Sequence, residues 1–297
     1  MIRVRSLTKR FGAVTAVEDL SFTAQPGRVT GFLGPNGSGK TTTLRTALGL
    51  LQATAGDVTF DGTHYWDLPN PGRQVGAALE ASSFHPGRTA LAHLRMLAPT
   101  LGVSDSRCWE VLELVGLQAQ AKRRVGQFSL GMRGRLQVAV ALLGDPATLL
   151  LDEPTNGLDP EGITWIRALL KTMATQGRTV LISSHLLGEV EQTVDDVVII
   201  AHGRLAHASA LADLEHLGQP RTVVAAADPT ALATLIQTQD WSAQPWGDDA
   251  AMLVTGPAAE TIGHAAFQAG VELTQLASQR AGLEQAFFQL TEGGGLQ

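Results

Sequence analysis

The chain has a single cysteine among 297 residues, Cys108, so no internal disulfide can brace it. Its setting beside Trp109 and Val111, in a stretch of helical pattern, reads as a buried, inert thiol. No run approaches the ~20 apolar residues that a membrane helix requires; residues 197–201 are typical, and only strand-sized. Residues 1–10 lack the apolar core of a secretory signal, and the chain is expected to stay in the cytosol. Basic residues are scarce toward the C-terminus. Residues 211–297 hold ten Asp or Glu against Arg221 and Arg280, a balance of −8. The whole chain carries −6, so residues 1–210 carry +2. An acidic segment without clustered Lys and Arg argues against a nucleic-acid partner, and the step near residue 210 marks a domain boundary.

What is present is ordinary globular composition, 44% hydrophobic and 17% charged, long enough for one large domain and one small. Short β-like pieces around Val4, Leu7 and Phe11, residues 14–17 and residues 20–22 are punctuated by Gly12 and Pro26-Gly27. Residues 28–33 read as a buried strand, followed at once by a glycine-rich turn and a helix over 41–48. From about 83 to 144 the pattern is helical, with apolar residues at three-to-four spacing over 89–98, 104–115 and 131–143. Then come a strand at 149–151, a helix at 163–174, a strand at 179–183, a helix at 187–194 and a strand at 196–201. This alternation predicts a mainly parallel sheet covered on both faces. Beyond residue 220 the order becomes βαββαβα, with a last helix over 282–290, the rhythm of a small ferredoxin-like α+β unit.

The first chemical motif is Gly34-Pro35-Asn36-Gly37-Ser38-Gly39-Lys40-Thr41, which fits G-x-x-x-x-G-K-[ST] between a strand and a helix. Its glycines let the backbone curl around an anion, and the N–H groups and positive end of the helix, through Thr42, face phosphate oxygens. Lys40 can neutralise β- and γ-phosphate charge, and the Thr41 hydroxyl can ligate Mg²⁺. The second motif is an apolar strand ending in two carboxylates, Leu149-Leu150-Leu151-Asp152-Glu153. Asp152 suits a Mg²⁺ partner, and Glu153 a general base that orients the attacking water.

Between these motifs stands Phe128-Ser129-Leu130-Gly131-Met132, and after them Asn156-Gly157-Leu158-Asp159 and Ser183-Ser184-His185. In order and spacing, residues 1 to about 210 resemble the ATP-binding subunits of ABC transporters. The resemblance implies an α/β fold: a P-loop NTPase (RecA-like) core with an N-terminal antiparallel β piece and a helical signature subdomain at about 84–144. That ATP-binding domain would span 1–210, with the accessory α+β domain at 211–297. It implies ATP hydrolysis with Mg²⁺ and a role for each matching residue. Phe11 would stack on adenine. Ser129 and Gly131 would touch the γ-phosphate of ATP held by a second subunit, and Asp159 would join the two ATP sites. His185 would be the switch histidine at the γ-phosphate; the other seven histidines show no metal-ligand spacing.

Two positions depart from the commoner family pattern. Leu130 replaces a glycine of the signature, and Glu80 stands where a glutamine usually helps to hold Mg²⁺. Both departures are similar to those of the bacitracin-type branch of drug and peptide-antibiotic exporters. The implied assembly is a head-to-tail homodimer with two shared ATP sites, attached through a separate membrane permease to the cytoplasmic face of the cell membrane. An importer motor and a soluble ABC ATPase are the alternatives. The C-terminal unit has the wrong rhythm for the barrel-like domains of many importers. A single cassette without a heptad run fits neither the ribosome-acting nor the DNA-maintenance members.

Overall fold

A computed structural model of the chain describes residues 1–79, 84–215, 220–247, 251–279, 287, 290 and 291. Its chain divides into two compact units, Met1–Leu211 and Ala212–Gln289, with Leu290 and Thr291 counted in the first.

The first unit opens with β1 (Ile2–Phe11) and β2 (Val14–Ala24), an antiparallel hairpin, followed by β3 (Val29–Leu33) and helix α1 (Lys40–Ala47). β4 (Ala55–Phe60) returns to the free edge of β1 and completes a three-stranded antiparallel sheet. The short β-like pieces read from the sequence are therefore two long strands. Register shifts along the hairpin, with Ser6 and Asp19 in left-handed backbone, break the alternation that would have revealed them.

The second sheet is built around fully buried central strands. After the one-turn helix α2 (Pro71–Gln74) come β5 (Val75–Ala78) and the helices α3 (Ala90–Leu101), α4 (Asp105–Leu114) and α5 (Leu130–Leu142). They are followed by β6 (Thr148–Asp152), α6 (Pro160–Thr175), β7 (Thr179–Ser184), α7 (Leu187–Val190), β8 (Asp196–Ala201), β9 (Arg204–Ala210) and α8 (Leu211–Glu215). The sheet order is β5-β6-β7-β3-β8-β9, parallel throughout except for β9 on the edge. Every residue of β3 and β7 is buried, as expected of strands covered on both faces. The two sheets share a core in which Phe22 stacks on Phe32 at 5.1 Å between ring centroids, with Leu44 of α1 beside them. Each fully buried side chain of this kind is worth about 1.5–3 kcal/mol.

The helix starts follow from capping. Thr89 accepts from the N–H of Ala92, Ser129 from that of Met132 and Asp159 from that of Gly162. Pro99 lies within α3, two residues before its last, so the helix outruns its sequence-predicted end at residue 98. Conversely, α7 stops at Val190, well before residue 194. Cys108 is fully buried, and desolvation pushes its thiol above the usual value.

The second unit runs β10 (Arg221–Ala226), α9 (Pro229–Thr238), β11 (Ser242–Trp246), β12 (Ala251–Thr255), α10 (Ala259–Gln268) and β13 (Leu273–Gln279). Its sheet order β11-β12-β10-β13 is antiparallel throughout, the split β-α-β arrangement of a ferredoxin-like α+β domain. Leu232, Ile236 and Ile262 of the two helices pack with Val224 and Val254 of the sheet. The helix expected over 282–290 lies largely outside the described residues.

Candidate nucleotide-binding site

The loop between β3 and α1 has no room for side chains where it must turn. A Cβ on Gly34 would sit 2.3 Å from the Ile200 carbonyl oxygen, and one on Gly39 would sit 2.6 Å from that of Ala16. Gly39, at φ 104°, caps α1 without offering a side-chain acceptor, so the N–H groups of the first turn at Lys40, Thr41 and Thr42 keep their donor capacity. Pro35, Asn36 and Gly37 form the exposed tip, whereas Ser38 is buried and its Oγ has no hydrogen-bond partner among the described residues. Lys40 is 6% exposed, and its Nζ donates to the Gly34 oxygen at 2.6 Å and the Pro35 oxygen at 3.2 Å. Burial pushes this ammonium below the usual lysine value, against the opposing pull of Glu153 and Asp152. A buried cation, an orphaned hydroxyl and a helix end with free donors are together the chemistry of an anion site, and they fit a phosphate group.

The carboxylates arrive on the neighbouring strands. Thr41 Oγ1 donates to Asp152 Oδ2 at 2.7 Å, joining α1 to the end of β6. The pairing of Asp152 with Ser183 lets the Ser183 hydroxyl donate to Asp152 Oδ1. Glu153 leaves the strand in left-handed backbone, φ 49°. Its carboxylate lies 2.9 Å from His185 Nδ1 through one oxygen and 3.9 Å from Lys40 Nζ through the other. One Thr hydroxyl beside one carboxylate suits Mg²⁺, which keeps several waters and takes one or two protein oxygens. Lys40, Thr41, Asp152, Glu153 and His185 therefore converge. Ser183 was not anticipated as part of this cluster. Its one mark in the sequence is its place two residues before the histidine; the register that sets it beside Asp152 is not written in any local pattern.

The remaining candidates lie on other elements. Ser129 and Asp159 cap α5 and α6 and line a pocket of about 480 Å³ with Gly131 and Leu130. A Cβ on Gly131 would stand 2.9 Å from the Gly157 oxygen, so the α5 tip and the loop before Asp159 are in close contact. Leu130, 59% exposed, also walls a second pocket of about 290 Å³ that reaches Asp152 and Glu153. Phe11 sits on the β1–β2 hairpin, about half exposed, with Lys9 Nζ 4.8 Å from its ring centroid. Glu80 lies outside the described residues.

A family model described as ABC transporter matches residues 17–156. The bacitracin transport ATP-binding protein BcrA of Bacillus licheniformis is 43% identical over 208 residues, 69% of this chain and 68% of that protein. The chain belongs to the ABC transporter ATP-binding subunits. As an ABC ATPase, it binds and hydrolyses ATP. BcrA of Enterococcus faecalis is 31% identical over 301 residues, spanning 100% of this chain and 98% of that one, so the likeness extends through the second unit. A domain of unknown function matches residues 220–284. Among solved structures, an ATP-binding subunit of an ABC transporter aligns at a TM-score of 0.67 and 27% identity, covering 73% of this ABC subunit and 92% of that chain. No described helix of the ABC subunit is long and apolar enough to cross a membrane.

Proposed function

We propose that this ABC ATPase powers export of a peptide antibiotic or similar drug through a separate membrane permease. The observation that carries the reading is the convergence of Lys40, Thr41, Asp152, Glu153 and His185 on one half-buried cluster. The cargo class is supported by relatives named for bacitracin and lantibiotic transport.

In the proposed cycle, residues 34–42 hold the phosphates of ATP. Lys40 exchanges its loop carbonyls for phosphate oxygens, while Phe11 stacks on the adenine. Thr41 and Asp152 would hold Mg²⁺, which would supply neutralisation of phosphate charge. Glu153 takes a proton from water as the water oxygen bonds to the γ-phosphorus and the bond to the β-phosphate oxygen breaks, giving ADP and phosphate. His185 holds the Glu153 carboxylate in place and reaches toward the γ-phosphate. Ser129 and Gly131, at the tip of α5 in a second copy, complete the site, and Asp159 links the two sites across the homodimer. Glu80 would add a metal-side oxygen.

The ATP-binding domain is assigned to residues 1–210 and the accessory domain to 211–297. The permease, which would hold the subunit at the cytoplasmic face of the membrane, docks near residues 80–89. An apolar groove there is lined by Leu48, Leu50, Leu79, Phe84 and His93. The test is Glu153→Gln. It should lower turnover by ~10²–10⁴ while ATP binding persists, and it should accumulate an ATP-dependent dimer in gel filtration. Unchanged hydrolysis, or a monomer at saturating ATP and Mg²⁺, overturns the scheme.

A further inference from the structure

The carboxylate cluster contains one polar side chain to which the functional reading gives no task. Ser183 lies on β7, is 0% exposed, and is registered against Asp152 of β6. Its hydroxyl has one proton, which it donates to Asp152 Oδ1, and its oxygen accepts from the backbone N–H of Glu153 at 2.9 Å. That N–H belongs to the one residue of the cluster in left-handed backbone, Glu153 at φ 49°. A non-glycine residue persists in that region only when its surroundings over-determine it. The Ser183 oxygen is the acceptor that the twisted peptide finds. Ser184, on the opposite face of the strand, is engaged elsewhere, with the backbone of Leu186.

We propose that Ser183 is a positioning residue for hydrolysis: it locks the peptide of Glu153 to the Asp152 carboxylate, and so fixes the general base relative to the metal-side oxygens. The inference rests on the assignment of Glu153 as the base. Thr41, Asp152, Ser183 and the Glu153 N–H form one continuous chain of hydrogen bonds, from the first turn of α1 to the base. Removing the hydroxyl leaves the Glu153 N–H without its acceptor and frees the turn, while the phosphate loop keeps all its contacts. A shift of the base by about 1 Å costs ~10²-fold in rate.

The experiment compares wild type, Glu153→Gln and Ser183→Ala in three readouts: turnover, ATP affinity measured without metal, and thermal midpoint. Ser183→Ala should lower kcat by about 10- to 100-fold, leave metal-free ATP affinity within ~3-fold of wild type, and keep a single cooperative unfolding transition. Ser183→Cys, a weak donor and acceptor of similar bulk, should show the same split. The proposal is overturned if either variant turns over at the wild-type rate, or if ATP affinity falls in step with kcat, because the serine then serves the fold or the phosphate site. The functional reading fails separately, if wild type does not hydrolyse ATP or Glu153→Gln is as fast as wild type.

Discussion

Replacing Lys40 by methionine should separate stability from nucleotide binding. The ammonium is 6% exposed and donates to two loop carbonyls, with Glu153 at 3.9 Å. Its value is already lowered by burial, so the fold bears a desolvation cost for the charged form. Methionine keeps the apolar stem and removes that cost, while Glu153 retains His185 at 2.9 Å. The nucleotide-free variant should therefore melt within a few degrees of wild type. Charge-assisted hydrogen bonds are worth about 1.5–3 kcal/mol, so ATP affinity should fall ~10- to 100-fold. At ligand near 100 times the wild-type Kd, binding stabilises wild type by about 2.7 kcal/mol. For a unit of this size that is ~5–11 °C of thermal shift. A 30-fold weaker variant at the same concentration retains about 0.9 kcal/mol, or ~2–4 °C. Differential scanning fluorimetry with and without ATP reads both quantities. A variant that keeps the full shift refutes Lys40 as the phosphate ligand, and one that melts far lower without nucleotide shows that the lysine is structural.

Gly39→Ala should also weaken ATP binding by at least ~10-fold, because φ 104° and the Ala16 oxygen 2.6 Å from its Cβ would force the loop out of shape; isothermal titration checks this, and wild-type affinity would contradict it. Acid stability should carry a signature of Asp145, whose carboxyl is held below the usual carboxylate range chiefly by its hydrogen bond to Arg178, at 2.7 Å. A depressed folded value contributes stability above the unfolded value of about 4, lost as pH falls through the lower folded one. Asp145→Asn should therefore show a shallower loss of thermal midpoint between about pH 5 and pH 3, and an unchanged slope would show that the pair is screened.

Much of this was legible in the residues because local chemistry dictates it. The buried strands are continuous apolar runs, and Gly39-Lys40-Thr41 marks the loop-to-helix junction, so core and phosphate cradle could both be read. Where the backbone departs from regular alternation the pattern fails. The bulged β1–β2 hairpin looked like fragments, and β9, an exposed edge strand of mixed composition, gave no signal. Ser183 escaped for a different reason. Its importance comes from lateral register between β6 and β7, a relation between residues 31 apart that no one-dimensional period encodes. The capping tasks of Ser129 and Asp159 were equally hidden, because family likeness drew Ser129 toward a partner's phosphate and Asp159 toward the link between two ATP sites, while the fold also uses them to start α5 and α6.

The seclusion of Cys108 has an experimental consequence. With its sulfur enclosed and kept protonated by its surroundings, the native chain should be nearly silent toward maleimides and similar thiol reagents. A cysteine introduced at an exposed site away from the nucleotide, such as Lys171 on α6, would then carry a fluorophore or spin label alone, without first stripping the native thiol from the protein. The subunit comes ready for distance measurements through its catalytic cycle.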